Sequence, residues 1–472
     1  MSAIFEQLPR ADERTAEDWQ RALLELLRAR RTETEVFESY YDGEHPMQFA
    51  TGKFMEAFGN LFAAFADNWC QIVVDAPVER LKVVGFMVGG QQSEAAWELW
   101  QRNSLDVESV IAHTEAGKCG RAYLLVDPNE GEPRITVEHC AQVVVVHDPA
   151  DRRHRLAALK QWDGEDGYVN VNVYLPDSVF KWESSGPVSA AGEYGGIEWV
   201  PRDGGGEFAN PLGVVPVIPL ENKPGLLGAV HSDLEPAIPL QNAVNKLCTD
   251  MIVASEFGAF PQRLLTGINV NKNPATGKPY ESEQLEAAMS RVWMFEKADA
   301  RATSLPAADL QNFVNAIEMF MQHLAAQTRT PPHYLLAKMV NASGDALSTA
   351  EAGLVSKCRA KQLFFSDAWE EAIALALGGE HKSADCEAIW ANPERQSQSQ
   401  LTDAAIKKRT LGVPYEQIWL ELGYTPDQVA EFAKQREQEQ AEAEARAAAA
   451  ALTEPDEGDE PDGPAAPATG GQ

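Results

Sequence analysis

The feature that most constrains this chain is the order of segments in its C-terminal half. Leu310, Phe313, Val314, Ile317, Phe320, Met321 and Leu324 recur at helical spacing, while Gln311, Asn312, Asn315, Glu318 and Gln322 occupy the other faces. Asp309 stands where an N-terminal cap is wanted, and Pro331-Pro332 stop the helix. An apolar Tyr334-Leu335-Leu336 follows, then a loose Asn341-Ala342-Ser343-Gly344 passage. A second long helical pattern then runs from about Gly344 to Leu377 through Leu354, Leu363, Phe364, Trp369 and Leu375. Upstream, Leu240, Val244, Leu247 and Met251 mark another helix, with Asn242, Lys246 and Asp250 on other faces. Residues 260–308, between the two, hold short strand-like and turn-like pieces such as "QRLLTGI", "NVNKNPATGKP" and "RVWMFE". Any fold must explain why long helices are separated by a partly apolar, loose loop.

The N-terminal half is of a different texture. Residues 15–40 read as a helix carrying Leu23, Leu24, Leu26 and Leu27, and "SYYDGEHPMQFA" is a turn-rich break. A helix is predicted over 53–75, its aromatic face a core face. "VERLKVVGFMV" reads as a strand, "SEAAWELWQRN" as a helix capped by Ser93, and Leu105–Cys119 as a longer helix. Residues 121–220 alternate short strand-like runs with Gly, Pro and Asp, and end in an extended proline-punctuated connection, "NPLGVVPVIPLENKPG". Residues 385–433 read as short helices. After 434 an Ala/Glu helix gives way to an acidic Pro/Gly tail of disordered composition. The fold class is α+β and mainly helical, not an alternating βαβ series.

At 472 residues the chain exceeds one compact core, so two to four lobes are expected. No apolar run reaches the eighteen residues of a membrane span, and the N-terminus lacks the pattern of a secretory signal. The six cysteines are scattered without a C-x-x-C pair, as for free thiols in a reducing cytosol. The formal net charge of −31 argues against a protein whose main task is to clamp nucleic acid through phosphates. The acidity is not confined to the tail, since residues 431–472 hold only eleven of the 71 acidic residues.

Catalytic signatures are missing. There is no P-loop, G-x-S-x-G or H-E-x-x-H. The nearest metal-like grouping is His139, Cys140, His147, Asp148 and His154, which spacing reads as strand-end histidines with a buried cysteine. Glu351, Glu370, Ser356 and Cys358 share the long helix, but no histidine is placed to activate Ser356 or Cys358, so a solvated helix face accounts for them. The predicted sets of catalytic and metal-binding residues and of cofactors are therefore empty. Lys272 and Lys278 project from a loop, and Arg329, Lys338, Lys357, Arg359 and Lys361 gather around the Pro-Pro stretch. They read either as solvated charge or as weak phosphate contacts.

The order helix, small insert, helix, Pro-Pro loop, long helix resembles the portal (head-to-tail connector) proteins of tailed double-stranded DNA phages of the siphophage type. The runs "YYDGEHP", "LLVDPNEGEPRITVEHCAQVVVVHDP", "TRTPPHYL" with "SGDALSTAE", and "FFSDAWEEAIALAL" are also similar to that family, over about residues 15–430. The resemblance implies a homo-oligomeric ring, usually of twelve subunits, around a central channel at one capsid vertex. It divides the chain into a wing (1–231), a first stem helix (232–258), a clip (259–308), a second stem helix (309–328), a tunnel loop (329–347), a long wing helix (348–384), a crown (385–433) and an acidic tail (434–472). Partners implied are the terminase large subunit, the major capsid protein and scaffold, the head-tail adaptor and passing double-stranded DNA, with no membrane. The location implied is the virion, after assembly in the host cytoplasm. The tunnel loop would present His333, Tyr334, Leu335, Leu336, Lys338, Asn341, Ser343 and Asp345. The stem would present Asn242, Lys246, Asp250, Gln311, Asn315, Glu318 and Gln322, and the clip would dock through Lys272, Asn273 and Lys278. Two rival readings stand beside it: another structural protein of the capsid or neck, and a cytosolic multidomain enzyme.

Overall fold

A computed structural model describes residues 9–44, 67–128, 132–188, 197–203, 206–226, 228–259, 263–266, 301–304, 309–336, 344–378, 385–394 and 398–451. The chain begins with helices α1 (Ala16–Asp42) and α2 (Trp69–Val78) and strands β1 (Val83–Val88) and β2 (Gln91–Gln92). Helices α3 (Glu94–Arg102) and α4 (Leu105–Cys119) follow. Among the described residues nine strands come next: β3 (Arg121–Asp127), β4 (Arg134–Glu138), β5 (Val143–His147), β6 (Arg155–Asp163), β7 (Val169–Tyr174), β8 (Ser178–Ser184), β9 (Trp199–Pro201), β10 (Glu207–Ala209) and β11 (Val217–Glu221). Helix α5 (Ile238–Ala259), strands β12 (Arg263–Thr266) and β13 (Arg301–Ser304), and helices α6 (Gln311–Thr328), α7 (Pro332–Leu336) and α8 (Gly344–Leu377) form the segment whose order stood out in the sequence. Strand β14 (Cys386–Trp390) and helices α9 (Gln398–Thr410), α10 (Tyr415–Glu421) and α11 (Pro426–Ala451) complete the description.

Local chemistry sets the helix ends. At α1 the Thr15 hydroxyl accepts from Asp18 N–H while the Asp18 carboxylate accepts from Thr15 N–H, a reciprocal cap. Gly43 ends the helix in the left-handed region, where a side chain would be strained. Ser93 caps α3 through Ala96 N–H. Asp309 serves α6 from just outside the helix, its carboxylate accepting from Gln311 N–H at 3.0 Å.

Among the described residues, four apolar clusters organise the packing. The leucine stripe of α1 lies on the six-stranded antiparallel sheet, against Val144, Leu159, Val171 and Trp182. A smaller cluster around Tyr123, Val145 and Val217 joins that sheet to the three-stranded sheet β11-β3-β4. In the largest, α8 meets α3, α4 and that three-stranded sheet, with Trp100 and Trp369 edge to face at 5.0 Å. The fourth gathers Tyr40, Val73, Leu234, Val244, Met321, Leu324 and Leu335, where α1, α2, α5, α6 and α7 converge.

Two sequence expectations are corrected. Residues 386–390 form a strand, β14, antiparallel to β1, rather than the short helices expected from 385 onward. Five residues of alternating burial are too few to announce themselves, and their partner lies some 300 positions upstream. Within the proline-punctuated connection, Val217–Glu221 is strand β11, pairing with β3 despite Pro219. It is an edge strand, where a missing N–H spares the ladder. Of the helix predicted over 53–75, residues 53–66 lie outside the described residues, and α2 runs on to Val78 with Pro77 inside it. The acidic tail beyond residue 451 also lies outside them.

Candidate functional site

The antiparallel β12–β13 pair joins the end of α5 to the start of α6, and the two helices pack side by side. Val244 of α5 and Met321, Leu324 and Ala325 of α6 share one buried cluster. That burial fixes the rotation of α6 and turns the stripe Gln311, Asn315, Glu318, Gln322, at spacings of four, three and four, away from the core. Gln311, Asn315 and Gln322 are exposed and Glu318 is half-buried. Gln311 donates its side-chain amide to Asn315 at 3.1 Å. Between Gln311 and Thr328 the only Asp, Glu, Lys or Arg is Glu318. Such a face offers hydrogen bonds to hydrated surfaces without strong attraction to phosphate.

The helix stops before the prolines act. Arg329 takes a left-handed conformation (φ 56°), its N–H and that of Thr330 both return to Ala325 O, and the Thr328 hydroxyl donates to Leu324 O. Residues 332–336 then make a short helical turn held to the body. The Tyr334 hydroxyl accepts from Arg80 Nη2 at 2.7 Å, and the same nitrogen lies 3.2 Å from the Glu351 carboxylate of α8. His333 Nε2 is 3.6 Å from the same carboxylate oxygen. Burial works to lower the Arg80 pKa, but Tyr334 and Glu351 outweigh it and raise it. Leu335 is buried in the cluster of α5 and α6.

A second ionic cluster binds α8 to the start of the α5 segment. Asp233, with a fully buried side chain, faces Lys361 Nζ at 2.8 Å, Lys357 Nζ at 3.3 Å and Lys223 Nζ at 2.7 Å. Lys361 also donates to Asn222 Oδ1, and Lys357 to the carbonyls of Val73 and Thr328. Desolvation opposes ionisation of Asp233, yet the three ammonium groups hold its pKa well below the carboxylate range. Burial pulls Lys357 down to about 8. The carbonyl of Thr328, the last residue of α6, thus shares an ammonium group with Asp233.

The phage portal protein family described as SPP1 Gp6-like matches residues 24–448. The portal protein of Mycobacterium phage D29 is 30% identical over 399 residues, covering 78% of each chain. That of Mycobacterium phage L5 is 29% identical over 426 residues, covering 85% of this chain and 84% of the other. This chain belongs to the phage portal protein family. Among solved structures, a chain in the virion of a native gene transfer agent particle is similar with a TM-score of 0.44 at 11% identity, over 81% of this chain and 94% of that one. A chain in the neck of an empty particle gives 0.45 at 12%, over 78% and 95%. The assignment rests on the sequence matches.

As a portal protein, the chain is a non-enzymatic structural component of the virion, and the family implies a homo-oligomeric ring. Its predicted site residues fall into three groups. Gln311, Asn315, Glu318 and Gln322 form the stripe described above. Lys246 and Asp250 pair with each other on α5, whereas Asn242 is buried and accepts from the Tyr40 hydroxyl at 2.8 Å, so it drops out of any exposed face. Tyr334 and Leu335 root the loop in the body instead of presenting it, and Leu336 and His333 are half-buried beside them. Lys338, Asn341, Ser343 and the side chain of Asp345 lie outside the described residues, as do Lys272, Asn273 and Lys278. Lys357, Lys361 and Glu351, which spacing reads as surface charge, are buried. A helix-period pattern assigns faces only where apolar residues mark the core, and on α8 the buried face also carries charge.

Proposed function

We propose that α5 and α6 are the stem helices of a twelve-membered ring and that Gln311, Asn315, Glu318 and Gln322 face the DNA channel. The observation that carries this reading is the turned-out, nearly uncharged polar stripe of α6 in a chain of the portal family. Hydrated amides give passing DNA no phosphate trap, so the duplex slides through without a fixed register. Residues 1–231 with 348–384 are the wing, 259–308 the clip, 329–347 the tunnel loop, and 385–433 the crown. The terminase large subunit, and later the head-tail adaptor, dock on the clip through Lys272, Asn273 and Lys278. The scaffold and major capsid protein contact the outer ring.

The test is a pair of lysines placed on the stripe, Asn315→Lys with Gln322→Lys. In a twelve-fold ring these add 24 positive charges to the channel, and DNA per particle should fall several-fold while rings of normal mass still form. Unchanged packaging would remove the stripe from the channel.

A further inference from the structure

The C-terminal turn of α4 and the turn after β4 bring together side chains that the sequence separates. One ligand atom from each of Glu115, Cys119, His139 and Cys140 lies within 4.8 Å of the others. Cys140 is buried, and the other three are half-buried. The surroundings hold these groups in place. Lys118 Nζ lies 2.7 Å from Glu115 Oε1 and 3.5 Å from Glu38 Oε1. His139 Nε2 lies 2.8 Å from Glu38 Oε1 and 3.0 Å from Glu115 Oε2. The Thr34 hydroxyl is 3.7 Å from Cys140 Sγ, and Arg31 Nε donates to Ala141 O at 3.0 Å, bracing the turn from α1.

His139 Nδ1 accepts the N–H of Ala141 at 3.0 Å. A neutral imidazole whose Nδ1 accepts carries its proton on Nε2, so the nitrogen that faces the cluster is a donor. Metal-bound histidines show the opposite arrangement, donating from the remote nitrogen. His139 therefore holds the carboxylates and is not itself a ligand.

We propose that Cys119, Cys140 and Glu115 bind one soft divalent cation of the zinc class, with His139 as a positioning residue. Two sulfurs and a carboxylate oxygen suit tetrahedral zinc, with water in the fourth position. Binding releases the Cys119 and Cys140 thiol protons to solvent. Two thiolates and the Glu115 and Glu38 carboxylates then surround the dication and the Lys118 ammonium. The bound ion would clamp the end of α4 to the β4–β5 turn.

Cobalt(II) is the probe, added to the reduced, full-length protein. The wild type should take up one equivalent, with thiolate-to-cobalt absorption and the intense visible bands of tetrahedral coordination. Cys119→Ser and Cys140→Ser should each abolish the thiolate band at this site while retaining ring formation. His139→Gln should keep the band and weaken binding about 10- to 100-fold, as positioning residues do. Zinc should raise the melting temperature of the wild type but not of the doubly substituted protein. The proposal is overturned by a wild type without the band, by a band that survives both serine substitutions, or by a His139→Gln protein that loses it as completely as the cysteine variants. A Cys119–Cys140 disulfide in freshly purified, unoxidised protein would overturn it too.

Discussion

One carboxylate, Asp233, faces three ammonium groups with its side chain fully buried. Removing its charge would leave Lys357 and Lys361 in the interior without a counter-ion, whereas removing Lys357 leaves two partners behind. Asp233→Asn should cost about 3–5 kcal/mol in denaturant unfolding, and Lys357→Met much less. Equal losses would contradict the cluster as drawn. His113 gives a pH signature. It is fully buried, stacks on Phe365 and accepts the Trp369 indole N–H at 3.0 Å. Burial, and then Lys361, pulls its pKa down to about 3. The unfolded chain, titrating near 6.5, takes up the proton first as pH falls, so this group's contribution is intact above about 6.5 and is lost toward 3. Between pH 6.5 and 5 the loss is about 2 kcal/mol, and His113→Gln should flatten that slope. The Asp233 cluster was not legible in the sequence, and of the group Glu115, Cys119, His139 and Cys140 only the adjacent His139 and Cys140 stood out. Asp233, Lys223 and Lys361 meet only after α8 has packed, and Glu115 and Cys119 reach His139 and Cys140 only because α4 lies beside the β4–β5 turn.

At the scale of elements, α6 and α8 were plain in the sequence because long apolar stripes with clear stops leave one reading. Helix α8 spans Gly344–Leu377, the run its pattern predicts. Strand β14 was hidden because a five-residue strand takes its identity from its partner β1. The proposed tunnel-loop segment divides at Leu336. Residues 333–336 belong to the packed body, so a deletion that tests the loop must spare them. Removing 337–343 should leave ring formation intact and impair DNA packaging or retention, read as DNA per particle. Normal packaging would contradict the loop assignment. Tyr334→Phe removes one hydrogen bond to a charged group and should cost about 1.5–3 kcal/mol.

The whole molecule carries −31 formal charges, yet the exposed stripe of α6 has one acid. The negative charge of the ring therefore sits largely away from the proposed contact surface. On the proposed assignment, its long-range field would discourage DNA from adhering to the wing, while the amide-rich stem would leave little to grip. If the clip docks the motor, charge reversal at Lys272 and Lys278 should weaken terminase binding in a pull-down more than it alters ring mass. The most direct test of the central claim is an electron cryo-microscopy reconstruction of the purified protein. The expected result is a closed ring with an open axial channel, α6 innermost, and Gln311, Asn315, Glu318 and Gln322 facing the lumen. A particle without a channel, or a ring whose α6 stripe is packed against a neighbour or turned outward, would contradict it.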